Sequence, residues 1–161
     1  MEINPYSAPT ADLCLTATAN DPISKNFRRF SAWWVFLLSI VTLRIYPIFW
    51  IINHAQILNR IQPKPLAPIW LYLMAISLAS SFVMEYRFPE MVWTLGAINI
   101  IYLVTLLTSL FKVKNRLKDL MTESAGTPYP LSPILTFLFD VIYLQYKINQ
   151  FIDDRQTSIA K

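Results

Sequence analysis

Two long uncharged runs stand close together in the middle of this chain. Residues 66–84 are nineteen positions without a charge, and residues 91–111 are twenty-one more. Because an α-helix rises about 1.5 Å per residue, each run is long enough to cross the hydrocarbon core of a bilayer, which is about 30 Å thick. The six residues between the runs, 85–90, include three charges. This pattern predicts a transmembrane helical hairpin with a short charged turn.

Composition excludes several classes of catalytic and metal site. The 161 residues include only two glycines, one cysteine and one histidine. A glycine-rich phosphate loop and a Gly-x-Ser-x-Gly nucleophile elbow cannot be formed, and neither can a structural zinc site or an intramolecular disulfide. The net charge of +4 is typical of Lys and Arg beside a membrane rather than of a nucleic-acid-binding surface. We therefore expect no cofactor, no metal and no nucleic-acid partner.

Two further apolar segments flank the hairpin, and each is interrupted by a charge. The first contains Arg44, followed by Pro47, and the last contains Asp140. The tails are polar and have no apolar period, so we expect them to be disordered. The predicted organisation is a cytoplasmic tail over 1–24, a membrane domain over 25–152 with segments at about 31–52, 66–84, 91–111 and 131–146, and a C-terminal tail over 153–161.

The distribution of Lys and Arg distinguishes two topologies. The count takes the thirteen basic residues outside the apolar segments and so omits Arg44. If all four apolar segments cross the membrane, seven of these residues lie on the cytoplasmic side and six lie outside, which is no bias. If only the central hairpin crosses, the ratio becomes twelve to one. The positive-inside rule favours the second topology, with both termini in the cytoplasm, the 85–90 turn outside, and flanking segments that re-enter. The alternative, in which the first segment crosses and Arg44 snorkels to the interface, stays open.

An amphipathic helix is predicted directly after the hairpin, over residues 112–122. Its apolar positions follow the helical spacing, and they are Val113, Leu117, Leu120 and Met121. The remaining positions carry the basic residues Lys112, Lys114, Arg116 and Lys118. Such a helix is typical of a membrane interface, where these four side chains would contact anionic lipid headgroups.

Arg44 and Asp140 are the two charges inside apolar segments. A charge at membrane depth costs at least about 2.5–3.5 kcal/mol on insertion scales, so it usually faces a partner or water. Opposite signs in two flanking segments indicate a candidate ion pair that would hold those segments together. The alternative is that each side chain separately reaches headgroups or water.

Other polar residues in and beside the apolar segments have a packing explanation or a binding one. A candidate interfacial polar cluster consists of Asn53, His54 and Asn59, and it could contact a headgroup. Within the hairpin, small residues four apart allow close helix approach, and an amide could bond between the two helices. These packing residues are Ala75, Ala79, Ser77, Ser81 and Asn99.

Three short elements resemble a known but uncharacterised family. Residues 4–9 read Asn-Pro-Tyr-Ser-Ala-Pro, residues 46–50 read Tyr-Pro-Ile-Phe-Trp, and residues 143–149 read Tyr-Leu-Gln-Tyr-Lys-Ile-Asn. They are similar to the opening, the Tyr-Pro-x-x-Trp element and the closing element of small bacterial multi-pass inner-membrane proteins with a domain of unknown function. The resemblance implies location and architecture, and it implies no activity and no catalytic residue.

The expected fold is an all-α integral membrane protein in which a central two-helix hairpin is flanked by two broken re-entrant or short spanning helices. With no catalytic constellation visible, we expect a non-enzymatic protein that acts through membrane lipids, a membrane-protein partner or a second copy of itself. One alternative is a small oligomeric channel or transporter with Arg44 and Asp140 facing a polar path. Another is a lipid-modifying enzyme with His54 and Asn59 at the interface.

Overall fold

The computed structural model describes residues 22–43, 45–62 and 66–159. Over these residues the only regular secondary structure is α-helix. We number its six helices in chain order: α1 Pro22–Asn26, α2 Ala32–Val41, α3 Ile45–Ile61, α4 Pro68–Arg87, α5 Val92–Ala125 and α6 Pro133–Ile159. Arg44 and residues 1–21 lie outside the described part of the chain, so the candidate ion pair and most of the N-terminal tail cannot be placed.

Helices α4 and α5 form an antiparallel hairpin. Pro68 begins α4 at a position where a proline costs no helical hydrogen bond. The Nζ of Lys112 lies 4.4 Å from the ring centre of Trp70 near one end, and Ser81 bonds Asn99 farther along. Among the described residues these two helices alone are long and apolar enough to cross a membrane. The predicted pair of apolar helices is therefore confirmed, and it suggests that the protein associates with a membrane.

The first flanking segment reverses direction after α2. This helix has ten residues and is about 15 Å long. Leu43 then adopts a φ of 48°, and the Thr42 carbonyl oxygen and Oγ1 accept the N–H groups of Ile45 and Tyr46, each at 3.0 Å. Helix α3 carries the chain back to the level at which α2 begins, because the ring of His54 on α3 lies 5.6 Å from that of Phe27, which precedes α2.

The last apolar segment reverses inside α6. Asp140 has φ 47° and ψ −133°, a region that costs a non-glycine residue about 1–3 kcal/mol. The N–H of Ser132 donates to the Tyr143 hydroxyl at 3.0 Å. These residues would be about 16 Å apart in a straight helix. Residues 133–139 and 141–159 are therefore two arms that fold back on each other.

Apolar side chains divide into two groups along the molecule. The buried group lies at the basic end of α5, and its fully enclosed members include Ile51, Leu58, Leu117, Met121, Leu144 and Ile148. The exposed group covers α2, both reversal tips and the outer faces of the hairpin, as at Leu43, Phe137, Leu138 and Trp93. A protein core thus occupies one end, and an apolar surface suited to lipid occupies the rest.

Three expected boundaries differ from the structure. Residues 112–122 are not a separate interfacial helix, because they continue α5 without a break as far as Ala125. The apolar face of this stretch packs against protein, with Val113, Leu117, Leu120 and Met121 buried. The C-terminal tail expected from residue 153 is helical through Ile159, and the first turn of α1 begins inside the expected N-terminal tail.

Candidate functional site

A chain of hydrogen bonds joins α3, α6 and Phe30, which lies just before α2. The indole Nε1 of Trp50 donates to Gln145 Oε1 at 2.9 Å, and Gln145 Nε2 donates to Asn149 Oδ1 at 3.1 Å. Asn149 Nδ2 then donates to the carbonyl oxygen of Phe30 at 2.7 Å. Gln145 is only 1% exposed, so its bond with the buried Trp50 pairs two polar groups that have no access to water.

His54 lies one helical turn after Trp50 and stacks on it. The two ring centres are 3.6 Å apart, and His54 Nδ1 lies 2.8 Å from the Trp50 carbonyl oxygen. That contact favours a tautomer in which Nδ1–H donates, leaving a lone pair on Nε2. His54 lies outside the two helices that could span a membrane, and burial lowers its pKa to about 4. The imidazole is therefore neutral at physiological pH.

A cavity of about 340 Å³ opens beside this stack, between α3 and the residues that precede α2. We call it the His54 cavity. Its lining includes the aromatic residues Phe30, Phe49 and Trp50. Its polar lining consists of Asn26, Arg28, Tyr46, Asn53, His54 and Gln145. Arg28 is the charged residue among them, and no acidic residue of the described part of the chain lines the cavity.

Asn59 belongs to a different site from Asn53 and His54. Its Oδ1 accepts the N–H of Leu66 at 2.6 Å and Arg116 Nη1 at 3.1 Å. The Gln62 side chain also donates to the Arg116 carbonyl oxygen at 3.2 Å. Asn59 therefore ties the connection between α3 and α4 to α5. The structure brings two members of the candidate polar cluster together in the His54 cavity and places the third elsewhere.

The four basic residues of the 112–118 stretch have different surroundings. Lys112 lies over Trp70, Arg116 bonds Asn59, and Lys114 is only 7% exposed. Lys118 is exposed. Three of the four candidate lipid contacts thus interact with protein groups or are enclosed by protein, and Lys118 is the one that projects openly.

The predicted packing residues of the hairpin also differ among themselves. Ser81 Oγ donates to Asn99 Oδ1 at 2.8 Å, whereas the buried Ser77 hydroxyl donates to the Met74 carbonyl oxygen of its own helix at 3.0 Å. Ala75 is half-buried and Ala79 is exposed. The serine pair therefore faces α5 more closely than the alanine pair does.

Asp140 lines a second cavity, of about 270 Å³, at the tips of the two reversals. Ser39 and Pro47 contribute from the first flanking segment, and Tyr102 contributes from the middle of the α5 apolar run. Most of the remaining lining is leucine and other apolar side chains. No group of three His, Cys, Asp or Glu residues suited to a metal ion occurs in the part of the chain that the structure describes.

Sequence reasoning missed Trp50, Gln145 and Arg28 as site residues. Arg28 was counted only as a topological charge, and nothing in its own neighbourhood marks it as a cavity residue. Trp50 and Gln145 lie in the two elements at 46–50 and 143–149 that carry the family resemblance. That coincidence was the available signal for their contact.

Comparison with known proteins gives one assignment. No curated protein matches this chain, and no solved structure matches it either. A domain family of unknown function, DUF4234, matches residues 30–154, a range that includes the Trp50 network and both reversals. Because this match covers most of the chain, the protein is a member of the DUF4234 family.

Proposed function

We propose that this protein is a non-enzymatic component of the bacterial inner membrane that acts by associating with a second copy of itself. In this proposal α4 and α5 cross the bilayer, and the two flanking segments re-enter from the cytoplasmic side, where both termini lie. The function is carried by one observation, an exposed amide on the part of α5 that would face lipid.

Lengths and exposures support the insertion geometry. Helix α2 is about 15 Å long, which is half of a hydrocarbon core of about 30 Å. The reversal tips are apolar and exposed, at Leu43 and Phe137 for example. Both tips border the cavity that includes Tyr102, which lies halfway along the α5 apolar run. Two pairs of helices that reach the bilayer centre and return would have this arrangement.

Asn99 supports self-association. It is exposed, eight residues into the apolar run that begins at residue 91. Its Oδ1 accepts the Ser81 hydroxyl, whereas its Nδ2 donates to no protein group in the described part of the chain. An amide facing hydrocarbon gains by bonding across an interface. Beside it, Gly96 would meet nothing if it carried a side chain, so another helix can approach closely.

Replacing Asn99 tests this function. We expect Asn99→Leu to weaken dimerisation by about three- to thirtyfold, since interhelical hydrogen bonds in membranes contribute roughly 0.6–2 kcal/mol. The measurement is energy transfer between labelled copies in liposomes at several protein-to-lipid ratios. At a fixed fraction of labelled protein, the curve of energy transfer against protein-to-lipid ratio should shift to higher ratios.

A matched control is Thr108→Val on the same helix. The Thr108 hydroxyl is already bonded to the Val104 carbonyl oxygen of α5 at 2.7 Å, so its removal should leave dimerisation unchanged. A wild-type protein that stays monomeric at all ratios would sink the proposal. So would an Asn99→Leu curve that overlays the wild-type curve.

The insertion geometry has its own test. Single cysteines at the exposed positions Gln56, Glu90, Glu123 and Gln156, in a Cys14→Ser background, would be labelled from outside intact cells. We expect only position 90 to react. Labelling at position 56 or 123 would mean that the flanking segments cross the membrane, and the re-entrant arrangement would then be wrong.

A channel or transporter is the second candidate function, because Asp140 lines the cavity at the reversal tips. It predicts ion flux through proteoliposomes that is lost in Asp140→Asn and Arg44→Leu. A wild-type protein that passes no ion would remove this candidate and leave self-association untouched.

A further inference from the structure

The His54 cavity has a volume suited to a lipid headgroup, and the proposed insertion gives it a suitable depth. Its volume of about 340 Å³ falls within the range of about 300–1,000 Å³ typical of ligand pockets. His54 lies nine residues after the start of α3 at Ile45, which is about 14 Å along the helix axis. If the α2–α3 tip reaches the bilayer centre, as in the proposed insertion, the cavity lies at headgroup depth.

Arg28 gives the cavity a positive charge. Its neighbour in sequence, Arg29, is paired with Asp153 at 3.0 Å. Arg28 has no such acidic partner in the described part of the chain, and no carboxylate of that part lines the cavity. A guanidinium without a counter-charge at a membrane interface favours a phosphate group.

The other polar groups of the cavity favour hydroxyl donors. The neutral His54 has a lone pair on Nε2, because Nδ1 faces the Trp50 carbonyl oxygen. Asn26 donates its Nδ2 to the Pro22 carbonyl oxygen at 2.9 Å, which leaves its Oδ1 to accept a bond. Asn53 contributes an exposed amide that both donates and accepts. A bare phosphate would satisfy Arg28 and could accept from Asn53 and the Tyr46 hydroxyl, but it would give the acceptors on His54 and Asn26 no donor.

One side of the cavity is apolar and exposed. Phe49 lines the cavity and is 65% exposed. Ile45, one turn nearer the tip, is also exposed. Acyl chains attached to a headgroup in the cavity could leave along these side chains, whereas a soluble phosphate ester would leave them in contact with water.

From this placement we infer that the His54 cavity binds one anionic phospholipid with a hydroxylated headgroup, of the phosphatidylglycerol class. Arg28 binds the phosphate, and the acceptors on Asn26 and His54 receive the headgroup hydroxyls, with Asn53 completing the contacts. The depth argument rests on the proposed membrane insertion. The choice of ligand rests on the chemistry of the cavity.

Titration of short-chain lipids tests the inference. Dioctanoyl phosphatidylglycerol would be added to the full-length protein in a neutral detergent, and binding would be followed by calorimetry. We expect one saturable site, with dioctanoyl phosphatidylcholine and phosphatidylethanolamine binding at least about tenfold more weakly. The phosphatidylethanolamine arm matters because its ammonium could also donate to His54 but would be repelled by Arg28.

Charge-matched variants separate the site from general electrostatics. Arg28→Gln should weaken phosphatidylglycerol binding about tenfold or more, and Asn53→Leu should weaken it severalfold. Lys25→Gln removes the same charge from an exposed position on α1 that does not line the cavity, so it should bind as the wild type does. Equal losses in Arg28→Gln and Lys25→Gln would overturn the inference, and so would equal affinity for phosphatidylcholine.

Two further measurements show whether the bound phosphate belongs to a lipid and whether lipid binding is independent of self-association. Glycerol phosphate that binds as tightly as phosphatidylglycerol would overturn the assignment to a lipid. Asn99→Leu should bind phosphatidylglycerol like the wild type, because Asn99 is on α5 and away from the cavity. Loss of lipid binding and loss of self-association are therefore separate results.

Discussion

The bond between Trp50 and Gln145 offers a sharp test of the packing of α3 on α6. Both side chains are buried, and the indole donates to the Gln145 amide at 2.9 Å. Gln145→Leu has a similar volume but leaves the indole N–H without an acceptor, which costs about 1–3 kcal/mol for a buried group. It also removes the donor to Asn149, so we expect a destabilisation of about 2–3 kcal/mol.

Trp50→Phe removes the indole N–H and part of the ring, so it also destabilises the protein. In the double variant neither buried partner is left alone, because apolar side chains replace both members of the hydrogen-bonded pair. We therefore expect the double variant to be about 1–2 kcal/mol more stable than the sum of the single losses predicts. The assay is reversible unfolding of all four proteins in one detergent. Additive losses within about 0.5 kcal/mol would refute the reasoning.

Two further predictions follow from single residues. Because burial lowers the pKa of His54 to about 4 from its usual 6.5, the unfolded chain binds a proton before the folded one does as pH falls. The contribution of neutral His54 to the free energy of unfolding should be fully present above about pH 6.5 and should decline towards pH 4. His54→Gln should flatten this part of a curve of stability against pH. An unchanged slope would contradict the burial argument. Gly126 ends α5 with a φ of 69°, so Gly126→Ala should lower the free energy of unfolding by about 1 kcal/mol in thermal unfolding. Ala125→Gly, in the preceding helical turn, is the comparison that separates this backbone effect from a simple change of size. A Gly126→Ala protein as stable as the wild type would contradict the helix-end assignment.

The two apolar helices were predictable because the criterion for them is local. A bilayer core of fixed thickness requires an uncharged run of fixed length, and such a run is visible without knowledge of any other part of the chain. The runs at 66–84 and 91–111 became α4 and the first part of α5. The charged interruptions at Arg44 and Asp140 also indicated that the flanking segments are broken, and Asp140 is a point of reversal.

The 112–122 stretch shows where periodicity stops being informative. Its spacing correctly marks one apolar face, but the same face suits lipid and protein equally well. The structure buries Leu117 and Met121 in the protein core, because α3 and α6 return to this end of the molecule. That return depends on backbone dihedrals at Leu43 and Asp140, which composition does not specify.

By itself, the sequence determined the all-helical class and the apolar hairpin, since these depend on local run length and residue pattern. Only the tertiary structure decided which polar residues meet. Trp50 and Gln145 are 95 residues apart, and Arg28 and His54 share a cavity only because the chain reverses between them. Contacts of this kind depend on how helices pack, and packing is a property of the whole chain rather than of any segment of it.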